Sequence, residues 1–262
     1  MSKKTEKTAE QPAATSVHFI LQGKGGVGKS FVASMLAQYF AETGNQEVKC
    51  IDTDPINQTL VNYKALNAEH IRLLDGSKID ERKFDKLMER LLSESGVFVV
   101  DNGASSFVPL SNYLIENDAL EMLQDAGRRV YIHSVITGGQ ALYDTLSGFT
   151  ELAQQAANSN LVVWLNEYFG VIEATDAGGT TKSFLEMNAY LANKEKVCGI
   201  IRITKRNQDT FGKDIEEMVS NKLTFAEVLQ SPAFTIMARQ RIRTIQKDIY
   251  EQLGQIQWTE AS

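Results

Sequence analysis

The sequence has 262 residues, of which 43% are hydrophobic and 23% charged, an ordinary composition for a water-soluble domain with a full core. Its formal net charge of −6 opposes binding to nucleic acid by overall charge, although a local basic face is compatible with it. Cys50 and Cys198 have neither disulfide nor metal-site spacing, so the clustered cysteines of an iron–sulfur protein are absent. No apolar run reaches transmembrane length, and we expect a cytoplasmic protein, with recruitment to the inner membrane by a partner left open.

The chain is expected to form one domain, because no linker rich in Pro, Gly or Ser and no internal repeat divides it. Residues 1–16 are polar, contain three lysines and precede no long apolar stretch, which predicts a disordered tail rather than a signal peptide. The domain then covers residues 17–256, and residues 257–262 are expected to form a C-terminal tail.

A strand predicted at residues 17–21 leads into a glycine-rich loop, and a helix predicted at 30–43 follows it. The loop fits the phosphate-binding pattern G-x-x-x-x-G-K-[ST] at every fixed position, with the residues Gly23, Lys24, Gly25, Gly26, Val27, Gly28, Lys29 and Ser30. Glycines let backbone N–H groups turn towards anionic oxygens, and the helix start adds its dipole. We expect Lys29 to contact the β- and γ-phosphates and the Ser30 hydroxyl to bind Mg²⁺.

Carboxylates end the next two apolar strands that the sequence predicts. The strand at 48–52 ends in Asp52, followed by Thr53, Asp54 and Pro55, and the strand at 97–101 ends in Asp101. Such carboxylates lie where Mg²⁺ and an attacking water would sit beside a phosphate loop, and Asp101 is expected to bind Mg²⁺ opposite Ser30. For Asp54 the alternative is the start of a simple turn at Pro55.

Alternating strands and helices predict an α/β fold, a doubly wound and largely parallel sheet with helices on both faces and its ligand at the carboxyl edge. Further strands are expected at 71–74, 129–136, 161–165 and 197–203, and further helices at 80–95, 110–126 and 140–157.

Two later segments bear on the ligand. Residues 204–207 read Thr-Lys-Arg-Asn, close to the guanine-reading pattern [NT]-K-x-D, but Asn207 replaces the aspartate that pairs with guanine, which favours ATP over GTP. Near the C-terminus, basic side chains fall largely outside the apolar stripe of a predicted helix; they are Arg239, Arg241, Arg243 and Lys247. This basic face is either solvated or a site for DNA.

The loop from Lys24 to Ser30, with its additional early lysine, resembles the deviant phosphate loop of the ParA/MinD family of ATPases. The D-x-D-P sequence at 52–55 is the companion of that loop, and the resemblance extends from about residue 17 to at least residue 166. It implies that Lys24 reaches across an ATP-dependent homodimer to the partner's nucleotide. It also implies that Asp52 helps to hold Mg²⁺ through water and that Asp54 positions or activates the hydrolytic water.

The same resemblance makes Asn166 a candidate contact for the adenine base, with an ordinary turn asparagine as the alternative. The longer strings at 28–34, 50–55 and 101–107 look like the TraL subgroup of conjugal-transfer proteins, which implies a protein partner in a conjugation or type IV secretion apparatus. Phe31 departs from the wider family, since a second hydroxyl residue usually contacts the α-phosphate there. Asn102 and Gly103 replace the usual proline-containing sequence.

These features predict a dimerising ATPase that hydrolyses ATP slowly and uses its two states to control a partner. Two alternatives from other classes are left open. One is a ParA-type partition protein that binds DNA non-specifically through the basic helix, and the other is a nucleotide-gated binding module with negligible turnover.

Overall fold

The computed structural model describes residues 15–76, 78–155, 160–175 and 178–258. The predicted tails lie mainly outside these ranges, at residues 1–14 and 259–262. The strands are β1 (Ser16–Ile20), β2 (Val48–Asp52), β3 (Glu69–His70), β4 (Leu74–Asp75), β5 (Lys78–Ile79), β6 (Val97–Asp101), β7 (Arg129–Thr137), β8 (Asn160–Asn166), β9 (Glu173–Thr175), β10 (Thr181–Ser183) and β11 (Val197–Ile203). The α-helices are α1 (Lys29–Thr43), α2 (Lys83–Ser93), α3 (Phe107–Glu116), α4 (Ala119–Asp125), α5 (Leu142–Gln155), α6 (Asn188–Leu191), α7 (Lys213–Ser220), α8 (Phe225–Gln230) and α9 (Ile236–Leu253).

The central sheet has seven strands in the order β11-β8-β7-β1-β6-β2-β3, and every pairing in it is parallel. Strand β1 lies in the middle, with β6 and β7 as its neighbours. Parallel register brings the carboxyl ends of these strands to one edge, where the loops after β1, β2 and β6 lie side by side. The predicted doubly wound α/β fold is confirmed.

Alternate residues of the central strands fill two core layers, one on each face of the sheet. In β1, Val17 and Phe19 belong to the first layer, which α2, α3, α4 and α5 cover. Ile20 belongs to the second layer, which α1, α7, α8 and α9 cover. A strand that is buried on both faces reads as a continuous apolar run, which explains why the central strands were predictable.

The strands predicted at 48–52, 97–101 and 197–203 form with those bounds, and the others shift by one residue. The strand predicted at 71–74 is wrong, because β3 ends at His70 and only Leu74 of that range is in a strand, β4. The helix predicted at 110–126 is two helices, because Asp118 adopts a left-handed φ of 48° between α3 and α4. Asp tolerates this conformation better than most residues and so ends the first helix.

The packed region extends slightly beyond the predicted domain limits. Ser16 is already part of β1. At the other end, the Trp258 ring lies 5.3 Å from the Phe40 ring and 5.2 Å from the Tyr131 ring, measured between centroids. Among the described residues, no helix is both long and apolar enough to cross a membrane.

Candidate nucleotide-binding site

The glycine-rich loop joins β1 to α1 at the carboxyl edge of the sheet. Gly26 and Gly28 have φ angles of 74° and 101°, in the left-handed region that favours glycine. Gly28 precedes α1 and offers no side chain to cap it. The first N–H groups of α1 therefore stay available for an anion held by the loop.

A cleft of about 800 Å³ opens beside this loop. One end is lined by the loop and by Asp54, and the other by the segment after β11 together with α7 and α9. Its lining includes Gly25, Gly26, Gly28, Lys29, Ser30, Phe31, Asp54, Asn102, Asn166, Arg206, Phe211, Asp248 and Ile249. The polar end and the more apolar end match the triphosphate and the base of a nucleotide.

Lys29 is buried beneath the loop, with a relative exposure of 8%. Its Nζ donates a hydrogen bond of 2.9 Å to the backbone carbonyl oxygen of Lys24. Burial lowers the pKa of Lys29, and the nearby Asp101 and Asp54 carboxylates oppose this shift. A largely desolvated cation thus lies at the point where the motif places the β- and γ-phosphates.

Asp101 ends β6 and lies opposite both Ile20 and Asp52 in the sheet register. It is fully buried, and neither of its carboxylate oxygens has a hydrogen-bond partner among the described residues. Burial raises its pKa to about 7, an effect that the nearby Ser30 hydroxyl opposes and Asp52 reinforces. A buried carboxylate without partners is costly, and a divalent cation is the partner that oxygen ligands of this kind accept. The site therefore fits Mg²⁺.

Asp52 is also buried, but its oxygens are occupied by the backbone. Oδ1 accepts a hydrogen bond of 2.9 Å from Asp54 N, and Oδ2 accepts bonds of 2.9 and 3.3 Å from Leu60 N and Val61 N. Burial raises the pKa of Asp52, while these backbone donors lower it. Asp52 thereby fixes the path of the segment 53–61 along the cleft, a role that its motif did not indicate.

Asp54 lines the cleft and shapes a turn at the same time. Its Oδ1 accepts hydrogen bonds of 2.9 and 3.1 Å from Ile56 N and Asn57 N, the pattern of the turn that was the open alternative. A Cβ added at Gly103 would lie 2.6 Å from Asp54 Cγ. Gly103 therefore provides the space in which the Asp54 carboxylate lies.

Lys24 points away from Lys29 towards α5. Its Nζ lies 2.7 Å from Oδ2 of Asp144, and the two side chains are 45% and 58% exposed. Asp144 comes from the first turn of α5 and was not predicted. A pair this exposed contributes little to stability, so the lysine is readily released for another anion.

Asn166 is the last residue of β8 and is buried. Its Nδ2 donates a bond of 2.9 Å to the Val27 carbonyl, and its Oδ1 accepts one of 3.2 Å from Tyr168 N. The amide thus ties the phosphate loop to β8 and caps the next turn, as the turn alternative predicts. Asn166 also lines the cleft, and its contact with the base stays a prediction. Phe31 lines the cleft and packs on the apolar layer under α1.

The far end of the cleft contains residues that sequence reasoning did not assign to the base. The Arg206 guanidinium lies 5.2 Å from the centroid of the Phe211 ring and donates a bond of 2.8 Å to Asp248. Asn207 accepts a bond of 2.9 Å from Asp209 N and so caps a turn. Phe211 follows Arg206 by five positions and Asp248 follows it by 42. No periodic pattern in the sequence connects these residues with the phosphate loop.

The basic residues near the C-terminus do not form one continuous patch. Arg241 donates a bond of 2.5 Å from Nε to Asp214, and Lys247 Nζ lies 3.6 Å from Glu251. Within the described ranges, Arg239 and Arg243 have no carboxylate within salt-bridge distance. The continuous basic surface on this helix is therefore smaller than the sequence predicted.

Comparisons with known proteins agree with this geometry. A family model described as the CobQ/CobB/MinD/ParA nucleotide binding domain matches residues 18–245. Two Escherichia coli proteins named Protein TraL are each 48% identical to this chain over 238 residues, which cover 90% of this chain and 96% of theirs.

Two solved structures share the fold. The MinC:MinD cell division protein complex of Aquifex aeolicus matches with a TM-score of 0.51 and 15% identity, over 95% of this chain and 99% of that chain. The septum site-determining protein MinD with Mg-ADP from Pyrococcus horikoshii matches with a TM-score of 0.50 and 15% identity, over 92% and 98% of the two chains. At such low identity these structures support the fold alone.

The resemblance drawn from the phosphate loop and the D-x-D-P sequence is confirmed by the match of the family model over most of the chain. The resemblance drawn from the longer strings is confirmed by the identity to the two TraL proteins. The chain therefore belongs to the CobQ/CobB/MinD/ParA family of P-loop ATPases and, within it, to the TraL proteins.

Proposed function

We propose that this chain is an ATP-dependent dimerising switch that hydrolyses ATP slowly and controls a protein partner during plasmid conjugal transfer. The observation that carries the proposal is the Asp101 carboxylate, which is fully buried beside Lys29 and Ser30. The Ser30 hydroxyl is close enough to lower its pKa, but neither oxygen has a hydrogen bond of standard geometry among the described residues. Burying an acid and a lysine under a phosphate loop lowers the stability of the protein on its own, so stability does not explain their placement. Their placement is explained if the phosphates of a nucleoside triphosphate pair with the lysine and Mg²⁺ pairs with the acid.

In this proposal the loop amides and Lys29 bind the phosphates, and Ser30 and Asp101 hold Mg²⁺, with Asp52 acting on it through water. When bound, Mg²⁺ neutralises charge on the β- and γ-phosphate oxygens. Asp54 orients the attacking water, because its carboxylate lies at the phosphate end of the cleft. Its turn contacts hold that carboxylate in one orientation.

Lys24 supports the dimer part of the proposal. Its ammonium is partly exposed, and within the described part of the chain its ion pair is a surface contact with Asp144. Large apolar side chains are exposed at the same edge of the sheet, since Ile56 is 70% and Tyr143 is 68% exposed. A second copy facing this edge would bury them and bring Lys24 to the partner's nucleotide.

The role in conjugation rests on the identity to the TraL proteins. The alternative of a DNA-riding partition protein is less favoured, because the net charge is −6 and part of the C-terminal basic face is paired within the chain. The other alternative, a binding module without turnover, shares the same site and differs only in its rate of hydrolysis.

The test combines light scattering with phosphate release from the full chain. We expect a monomer with ADP and a dimer with ATP and Mg²⁺, together with slow release of phosphate. Asp101→Asn removes the carboxylate charge and should abolish the Mg²⁺ dependence of ATP binding, whereas Asp248→Asn at the base end should keep it. The proposal would be overturned if Mg²⁺ changed neither the ATP affinity of the wild type nor its mass by light scattering.

A further inference from the structure

The first turn of α9 carries exposed apolar side chains. Ile236 is 77% and Met237 is 61% exposed. Thr235 caps the helix by accepting a bond of 3.2 Å from Ala238 N, so the turn that carries them is well formed. Two exposed apolar side chains are too few to mark a docking surface by themselves, so the charged groups around them decide what the turn can bind.

Two arginines that make no ion pair with the described residues border this turn. Arg239 and Arg243 follow Ile236 by three and seven positions, which places all three on one side of the helix. No carboxylate among the described residues lies within salt-bridge distance of either arginine, in contrast to Arg241, which binds Asp214. The basic face, defined as Leu229, Ile236, Met237, Arg239, Gln240 and Arg243, includes a hollow of about 250 Å³ between α8 and α9.

A face of opposite charge lies at the junction of α3 and α4. Ile115 is 43% and Met122 is 50% exposed there. The neighbouring residues of the same two helices include exposed carboxylates that have no lysine or arginine within salt-bridge distance among the described residues. The acidic face is defined as Ile115, Met122, Glu116, Asp118, Glu121 and Asp125.

The two faces lie on opposite sides of the molecule. Leu114 of α3 and Leu123 of α4 pack in the core layer on one face of the sheet, and Ile242 of α9 packs in the layer on the other face. The faces of one molecule therefore cannot meet each other. A second copy presents the matching face, with two apolar side chains and opposite charge on each side of the contact.

We propose that the basic face of one molecule docks on the acidic face of a second copy, which gives a head-to-tail assembly. Because the two contacting surfaces differ, the contact is not closed by two-fold symmetry and can repeat from copy to copy. It is also distinct from a dimer formed at the carboxyl edge around ATP. The small size of the faces and their charge predict weak association that falls with salt.

The experiment is sedimentation velocity of the full chain without nucleotide. We expect the average sedimentation coefficient to rise with protein concentration at about 50 mM salt and to stop rising at about 500 mM, where charges are screened over about 4 Å. Ile236→Asp damages the basic face and Met122→Asp damages the acidic face, so each variant should sediment as a monomer. Leu191→Asp, at a side chain that is 51% exposed and outside both faces, should associate like the wild type.

The decisive sample is an equimolar mixture of Ile236→Asp and Met122→Asp. Each variant keeps one intact face, so the mixture should form a heterodimer and nothing larger. Arg239→Glu with Arg243→Glu, which keeps the apolar side chains, should also sediment as a monomer alone. The proposal would be overturned by a wild type that is monomeric at every concentration or by a mixture that stays monomeric. It would also be overturned if Leu191→Asp lost self-association to the same extent as the two face variants.

Discussion

The Lys24 ammonium lies 2.7 Å from the Asp144 carboxylate of the same chain. The lysine assigned to the partner's nucleotide therefore starts from an ion pair within its own molecule. Because both side chains are about half exposed, breaking this pair costs no more than about 1 kcal/mol. In the proposed dimer, the loss of this pair would oppose association only slightly.

Replacing Lys24 with Ala should leave ATP binding by the monomer unchanged and abolish the ATP-dependent dimer, because the crossing cation is lost. Replacing Asp144 with Ala removes only the intramolecular partner, and we expect the dimer to form at the same or a slightly lower ATP concentration. Light scattering with ATP and Mg²⁺ measures both. Normal dimerisation by Lys24→Ala would show that the lysine does not act across the dimer.

Replacing Lys29 with Ala should weaken ATP binding by about 2–4 kcal/mol, the scale of lost charge-assisted hydrogen bonds in a desolvated site. Calorimetric titration with ATP and Mg²⁺ gives the dissociation constant. Lys247→Ala is the matched control, since that lysine is exposed on α9 and outside the cleft. If the two variants bound ATP with equal affinity, the assignment of residues 23–30 as the phosphate-binding loop would be wrong.

Variants of Asp54 and Asp52 should affect different properties, the rate of ATP hydrolysis for Asp54 and the free energy of unfolding for Asp52. Asp54→Ala should slow single-turnover hydrolysis strongly while ATP affinity stays equal or rises, because a carboxylate near the triphosphate is removed. Asp52→Ala leaves three backbone N–H groups without their buried acceptor, and should lower the free energy of unfolding by about 2–4 kcal/mol as well as ATP affinity. Stopped-flow hydrolysis, calorimetry and urea denaturation distinguish the two. Normal hydrolysis by Asp54→Ala would contradict this division.

Gly103→Ala should act through Asp54, because the added methyl group would lie 2.6 Å from Asp54 Cγ and displace the carboxylate. We expect slower hydrolysis with little change in ATP affinity. In the double variant with Asp54→Ala the two effects should not add, since one residue acts through the other. Additive losses of rate would mean that Gly103 serves another purpose.

The pair His18 and His133 should make the protein sensitive to acid. Both are fully buried and 3.0 Å apart between Nδ1 of His18 and Nε2 of His133, and Trp164 donates a bond of 3.0 Å to His133 Nδ1. Burial lowers the pKa of His133 to about 3 and that of His18 well below its usual value, with His133 and Arg129 adding to the latter.

The folded histidines stay neutral from about pH 6.5 to about pH 5, whereas in the unfolded chain each is half protonated at about pH 6.5 and mostly protonated one pH unit below it. Each histidine should therefore lower the free energy of unfolding by up to about 1.4 kcal/mol per pH unit between about pH 6 and pH 5. Asp101, whose pKa burial raises to about 7, should add stability as the pH falls over the same range and offset part of this slope. Urea denaturation across this range measures the slope. His133→Gln should reduce the contribution of the histidine pair to this slope. The same slope in His133→Gln would assign the acid sensitivity elsewhere.

Local patterns determined the parts of this protein that depend on few neighbours. The central strands were predictable because each is buried on both faces, and the phosphate loop was predictable because its glycines and Lys29 are required at fixed spacing. The order of these elements also indicated the carboxyl edge of the sheet. Asp52, Asp54 and Asp101 could be placed there before any contact was known.

The tertiary structure alone decided what each of those side chains contacts. Asp52 and Asp101 are both carboxylates at strand ends. Asp52 accepts hydrogen bonds from backbone N–H groups, whereas Asp101 has no hydrogen-bond partner of standard geometry among the described residues. Hydrogen bonding and burial depend on segments distant in sequence, such as Leu60 for Asp52, and a local motif does not contain them. For the same reason Asp144, Gly103 and the base end of the cleft emerged only when the parallel sheet brought separate loops together at one edge.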